Sequence, residues 1–517
     1  MKINKLVHII VFSFCMVLAG ACTEDFEDIN KNPNNPEEVP ASLLLPTVIK
    51  NPVSEIASLA WGYGNVVMQY VGKIQFTNED RYNWGPASDP YYNFYNALRD
   101  VQNIINISEE NDQQNYRAVA LIMKSYLYHF MTDVYGEVPY IDAIQAKTDV
   151  NFPTFSSQEE IYLGVLEDLK LANDIIGTTN EALTGDILYN GSIENWKRFA
   201  NSLRLRIYMR LSDRMDPSSG MQAILNDPNS PIFANIFEQA ALTYLVDAPN
   251  QQPLYTTRSG SFDEFRLSEN MEMTLKNLED PRLYAYAQPT TDSKAGFIGS
   301  VDDYQGVPNG LPDEEALQYS PSGDPEKGGS NFISRVGLMY SCRACDENAS
   351  QTAAETILMS YAELQFILAE AREKGYISTG EAETYYMNGM QASFDYYTVR
   401  LNEGGYSEIV EAIQPTDEYF NQATVSYTGS QDEKLAKIGQ QKWIALFYNG
   451  MEAWFDWRRT GYPEITPGKG AVIPTVPVRF QYPTDAQALN PDNYKAAVSR
   501  QGPDNITTRV WWDIADN

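Results

Sequence analysis

Few residues of this chain have the type and spacing that covalent chemistry requires. In 517 residues there are two histidines, His8 and His129. A Ser-His-Asp or histidine-ligated zinc mechanism therefore has only His129 to draw on, because His8 lies in the N-terminal apolar run. His129 sits within the apolar segment Tyr116 to Tyr135, where a hydrogen-bonded core histidine is the ordinary outcome. Cys342 and Cys345 form a lone C-x-x-C, which reads as a local disulfide in an exported chain. A zinc site would need two further ligands, and thioredoxin-like exchange would need a βαβ setting that the pattern lacks. Asp28, Asn30 and Asn32 could begin a calcium loop, but the glycine turn and distal glutamate of an EF-hand do not follow. No metal and no cofactor are expected. With 69 acidic residues a glycosidase-type carboxylate pair is possible, since such chemistry needs only two at the right separation. No hydrolase motif accompanies them.

Binding chemistry is better represented. Residues 75–100 read QFTNEDRYNWGPASDPYYNFYNALRD and crowd Phe76, Tyr82, Trp84, Tyr91, Tyr92 and Tyr95 around Gly85-Pro86 and Asp89-Pro90. Aromatic rings interleaved with Asn, Asp and Arg suit a carbohydrate or peptide platform. Sugar C–H faces stack on rings, while amides, carboxylates and guanidinium groups bond the hydroxyls. The competing reading is that these rings cover a neighbouring helix, above all Tyr91 to Tyr95, which re-enter a helical pattern. The ligand residues expected are Tyr82 and Trp84 from this loop, with Arg258, Tyr304 and Asn309 from the Gly- and Pro-broken middle of the chain.

The net charge of −31 repels phosphate backbones, so nucleic acid is not an expected partner. At the front, Lys2 and Lys5 precede an apolar run from Leu6 to Leu18, and Ala19-Gly20-Ala21 lead to Cys22. Residues 1–21 read as a signal peptide. Leu18 to Cys22 reads as a lipobox, with Cys22 acylated and several acyl chains giving stable anchoring. Residues 22–40 form a turn-rich tether that opens on the acids Glu24, Asp25, Glu27 and Asp28.

The elements that must carry such a site are helical. Ser42 to Ile74 and Tyr116 to Tyr135 show apolar stripes at helical spacing, and a helix opens at the capping box Ser157-x-x-Glu160. A further helix spans Ser192 to Asp213, with Trp196, Phe199, Leu203 and Ile207 inward. Its outer positions carry Lys197, Arg198, Arg204, Arg206 and Arg210, expected to pair with acidic neighbours at the surface. Residues 214–356 lose this rhythm apart from a short helix at Leu267 to Leu278, and an irregular stretch of that length is usually functional. From Ser360 to Val399 the chain reads as a helical hairpin of the tetratricopeptide kind. Gly375 closes the first helix and a Ser378-x-x-Glu381 box opens the second. Asp432 to Asn449 adds another helix. The expectation is an all-α protein with a tetratricopeptide-like scaffold at about 41–213 and 357–460. A loop-rich ligand face occupies 214–356, and the whole of 41–517 forms one domain.

Several motifs together resemble the SusD/RagB family of nutrient-binding outer-membrane lipoproteins, in its starch-binding-associated, SusD-like branch. They are the acidic lipoprotein start, SYAELQFILAEAREKG at 360–375, NGMEAWFDWRRTGYP at 449–463, DPRLYAYA at 280–287, YQGVPNG at 304–310 and the tail from Val476 to Ala497. The resemblance implies four tetratricopeptide-like hairpins in a right-handed scaffold. It also implies a SusC-like TonB-dependent transporter as partner, over which the lipoprotein acts as a lid. It does not carry ligand chemistry, because branches of the family bind different glycans or peptides. Glu452, Asp456, Arg458 and Arg459 then read as buried ion pairs that hold the last helix. The expected function is non-catalytic capture of oligosaccharides or peptides at the cell surface. The alternatives are a secreted carboxylate-dependent glycosidase and a tetratricopeptide adaptor for a protein tail.

Overall fold

The computed structural model describes residues 39–146, 149–248, 250–320 and 329–514. The signal peptide, Cys22, the acidic cluster and the candidate calcium loop lie outside the described residues. The architecture is mostly helical: α1 (Ala41–Leu59), α2 (Ser88–Glu110), α3 (Gln114–Tyr135), α4 (Gln158–Ile175), α5 (Ile193–Arg210), α6 (Ser218–Asn226), α7 (Glu269–Asn277), α8 (Tyr361–Glu373), α9 (Ala382–Glu403), α10 (Gln431–Ala445), α11 (Gly450–Thr460) and α12 (Pro491–Gln501). Three antiparallel two-stranded ribbons tie distant segments: β1 (Val71–Lys73) with β5 (Phe265–Leu267), β2 (Val138–Pro139) with β3 (Phe155–Ser156), and β4 (Ala240–Leu242) with β6 (Thr356–Met359). None of the described helices is long and apolar enough to cross a membrane.

Consecutive helices pack as hairpins, α2 on α3, α3 on α4, α4 on α5 and α8 on α9. Local chemistry sets their ends. Ser157 caps α4 by accepting from the Glu160 amide, and the Glu160 carboxylate returns the bond to the Ser157 amide. Ser430 caps α10 by the same reciprocal pair with Glu433, while Ser192 and Ser360 cap α5 and α8 by accepting from the Asn195 and Glu363 amides alone. The Ser378–Glu381 box does not form. The Ser378 hydroxyl instead donates to Gln222 of α6, and α9 begins at Ala382 with no side-chain cap. Gly375 does take the left-handed conformation expected after α8, with φ 77°.

The arginines of α5 do pair with acidic neighbours, but Arg206 and Arg210 are not at outer positions. Arg206 and Arg210 are buried, 3% and 2% exposed. Arg206 donates to both oxygens of Glu363 at the start of α8, each at 2.6 Å. Arg210 joins Glu452 of α11 at 2.5 Å and Asp133 of α3 at 3.3 Å. Arg459 continues the network, donating to Glu370 of α8 at 2.5 and 2.6 Å and to Asp456 at 3.0 Å. Lys442 of α10 closes on Asp456 at 2.8 Å. Arg458 takes a different role. It donates to the carbonyls of Val478 and Asp133, and its guanidinium lies over Trp454 and Trp512. Buried charges persist only when paired and hydrogen-bonded, so this network fixes how α11 docks on the hairpins.

His129 is buried beside Asp133, its Nδ1 3.4 Å from Oδ2 but not aligned for a hydrogen bond. Burial pushes the imidazole down to about 4, against the pull of Asp133, so it is neutral near pH 7. His129 is thus part of the core.

Candidate ligand-binding face

The ribbon β1–β5 is where distant loops converge. Its register pairs Val71 with Leu267, Gly72 with Arg266 and Lys73 with Phe265. A side chain at position 72 would meet Val307 Cγ1 at 2.8 Å, so glycine lets the 307–313 segment lie directly on the ribbon. Ile74, Val307, Leu311, Ala316 and Ile333 make a small apolar cluster beneath, separate from the main core.

The loop from Gln75 to Pro86 leaves this ribbon and is pinned from every side. Asp80 is buried; its Oδ2 accepts from the Lys73 amide at 3.0 Å and its Oδ1 from Asn309 Nδ2 at 2.8 Å. Burial raises the Asp80 carboxyl to about 6, although these hydrogen bonds and Lys73 oppose the shift. The Thr77 hydroxyl donates to Asp313, whose carboxyl that bond holds below its ordinary value. Arg81 Nε donates to the Gly470 carbonyl at 2.8 Å, and the Val472 amide donates to the Arg81 carbonyl. Lys73 stands between Glu79 at 2.6 Å and Glu264 at 3.8 Å. Burial raises the Glu264 carboxyl; Lys73 opposes this and Glu79 adds to it. Arg258 also lowers this carboxyl.

What this frame presents outward is Phe76, 71% exposed, with the neighbouring amides of Asn78 and Asn83. Asn83 Nδ2 donates to Asn78 Oδ1 at 3.1 Å. Phe76 and Tyr82 both hold positive φ, 49° and 60°. Such values in bulky residues are strained and persist only where the surroundings over-determine them. Here the loop is held so that one ring points to solvent and the other inward.

The five expected ligand residues therefore separate. Arg258 is exposed, and its guanidinium donates to the Ser261 hydroxyl at 3.0 Å. Tyr82, 2% exposed, is core. Trp84 is half-buried, edge-on to Tyr63 and Phe480, with Nε1 donating to the Glu79 carbonyl, so it wedges the loop onto the scaffold. Tyr304 is fully buried against Tyr284, away from the loop. Asn309 is a structural hub: its Nδ2 donates to the Val71 carbonyl and to Asp80, and its Oδ1 accepts from Ser268. The expectation that all five touch ligand is corrected on this ground. A Gly- and Pro-broken segment can fold its rings back onto its own small core. Phe76 stands among the rings named in that aromatic stretch but not among the five expected ligand residues, and Asn78 and Asn83 beside it are the polar signal that the sequence offered. Elsewhere in the middle region, Cys342 and Cys345 are joined in a disulfide with a Cα separation of 5.1 Å.

Stacked helical hairpins define a tetratricopeptide-like scaffold, and on it this loop presents an exposed ring with amides beside it. A family described as starch-binding and associating with the outer membrane matches residues 33–483, and this chain belongs to that SusD-like family. Its members are outer-membrane-associated nutrient-binding proteins. No curated protein matches the chain. Among solved structures, a SusD homologue from Bacteroides fragilis NCTC 9343 shares 25% identity, with 92% of this chain and 99% of that one covered and a TM-score of 0.76. A chitin-binding protein is 26% identical over 92% of this chain and 100% of its own, with a TM-score of 0.73. A chitin-binding SusD homologue from Flavobacterium johnsoniae, at 23% identity, 91% and 98% coverage and TM-score 0.70, shares the fold.

Proposed function

We propose that the chain is a non-catalytic surface lipoprotein that captures oligosaccharides at the Phe76 face. Acylation at Cys22 anchors it to the outer membrane, facing outward, and it passes its ligand to a SusC-like TonB-dependent transporter. The observation that carries the reading is the exposed Phe76 ring, held at a strained φ on a loop fixed by the 307–313 and 468–472 segments. A platform that does not need to order itself on binding keeps the full stacking energy. The carboxylates around this loop, Asp80, Asp313, Glu79 and Glu264, are engaged by Asn309, Thr77 and Lys73. That arrangement favours holding a ligand over attacking it. Membership of a starch-binding family and likeness to a chitin-binding protein support a glycan as ligand.

The test is calorimetric titration with maltoheptaose and with chitohexaose. Stacking contributes about 0.5–1.5 kcal/mol per ring, so Phe76→Ala with Asn83→Ala should weaken binding roughly tenfold. The thermal melt should not move, because both side chains are exposed. Unchanged affinity in a folded variant would place the ligand elsewhere.

A further inference from the structure

Helix α2 has a second face that the loop platform does not use. Tyr92, Asn96, Arg99 and Asn103 recur at intervals of three and four along it, so they form one stripe. The stripe lines a groove of about 840 Å³ whose opposite wall is the segment from Tyr140 to Ala146. A second hollow of about 590 Å³, between α1 and α2, shares Asn96 and Arg99 with it. The two together form a trough that crosses the helix and has room for an extended ligand. It shares no lining residue with the Phe76 face.

The chemistry of the trough is specific. Its rings are phenolic, with Tyr92 36% exposed and Tyr140 half-buried at the wall. Its polar groups are mostly carboxamides, and those of Asn96 and Asn103 make no hydrogen bond among the described residues. These two amides lie seven residues apart, about 10 Å along the axis. The cations that line the Tyr140 groove are already offset. Lys124 pairs with Asp168 at 2.9 Å and lies 5.5 Å over the Tyr140 ring, and Arg99 stands beside Asp100 at 3.5 Å. Carboxamides donate and accept at once, as sugar hydroxyls do, and phenol rings take the C–H faces. In that groove an anionic glycan would find no cation without a carboxylate beside it; in the α1–α2 hollow Lys50 and Glu55 join the lining, with Glu55 accepting from Asn93 at 2.9 Å.

We infer that this trough is a second binding site, for a neutral oligosaccharide chain. It stands independently of the Phe76 face. The experiment uses the full chain and diazirine-bearing maltoheptaose and chitohexaose, with labelled peptides located by mass spectrometry. The expected result is labelling of peptides covering 92–106 and 140–146. Tyr92→Ala with Asn103→Ala should remove it at least fivefold and leave the melt nearly unchanged, since Tyr92 is exposed and Asn103 is half-buried at the helix surface. Labels at 75–86 should survive that change. Labelling of the loop alone overturns the trough and leaves the Phe76 reading standing; labelling of the trough alone does the reverse. No labelling at either place by either probe overturns both. Displacement of the trough label by a peptide digest, but not by unlabelled oligosaccharide, would overturn the ligand class.

Discussion

Arg459→Met is the perturbation that tests the buried network most directly. Arg459 closes on both oxygens of Glu370, at 2.5 and 2.6 Å, and both residues are almost fully buried. Removing the guanidinium leaves Glu370 with only Lys374 at 2.8 Å, and Asp456 with only Lys442. Breaking a buried pair from one side costs about 3–5 kcal/mol, because a desolvated charge loses its partner. Arg459→Met with Glu370→Met removes both charges and should recover most of that loss. The assay is equilibrium urea unfolding followed by the fluorescence of Trp443 and Trp454, both buried nearby. Acid adds a signed check. Burial alone would raise the Glu370 carboxyl, but Arg459 and Lys374 outweigh it and hold the group below its ordinary 4.5. A depressed carboxylate gives stability that is fully present above the unfolded value and lost as pH falls below it. Wild type should therefore lose its advantage over the double variant from about pH 4.5 downward. A cost under about 1 kcal/mol for Arg459→Met, the size of an exposed pair, would refute the reasoning. So would a double variant as unstable as the sum of its singles.

Other outcomes follow from burial and position. Tyr82→Ala should cost about 3 kcal/mol of stability, as a buried aromatic does, and reduce glycan affinity only through unfolding; a folded variant that fails to bind would return Tyr82 to the site. Replacing Cys342 and Cys345 together by Ser should cost on the order of 1 kcal/mol, since a loop this short removes little chain entropy, and a collapse of the melting transition would contradict that. Cys22→Ala should move the protein from the membrane to the soluble fraction of fractionated cells, and retention in the membrane would remove the lipid anchor from the proposal.

The helices were legible because apolar spacing and serine caps act over a few residues, as at Ser157 and Glu160. The network was not, because its partners are far apart in the chain. Arg206 meets Glu363 across 157 positions and Arg210 meets Glu452 across 242. Helical periodicity counts charges as outward, and in a scaffold of stacked hairpins the outward face of one helix is the inward face against the next. The ribbons escaped for a related reason, since strands of two to four residues carry no readable alternation.

Tyr82 and Phe76 show where composition stops deciding. Both are aromatic, both sit in the same polar loop, and both take positive φ, yet one is 2% exposed and the other 71%. The difference comes from what lies under each. Tyr82 is followed by Trp84, which packs on Tyr63 and Phe480, so the chain there is drawn onto the main core. Phe76 is followed by Thr77 and Asp80, whose bonds to Asp313, Lys73 and Asn309 hold the backbone down while leaving the ring nothing apolar to cover it. A loop whose polar side chains face inward must turn its neighbours outward. An exposed ring is therefore better sought beside the buried carboxylate and hydroxyl that anchor the loop than among its largest aromatics.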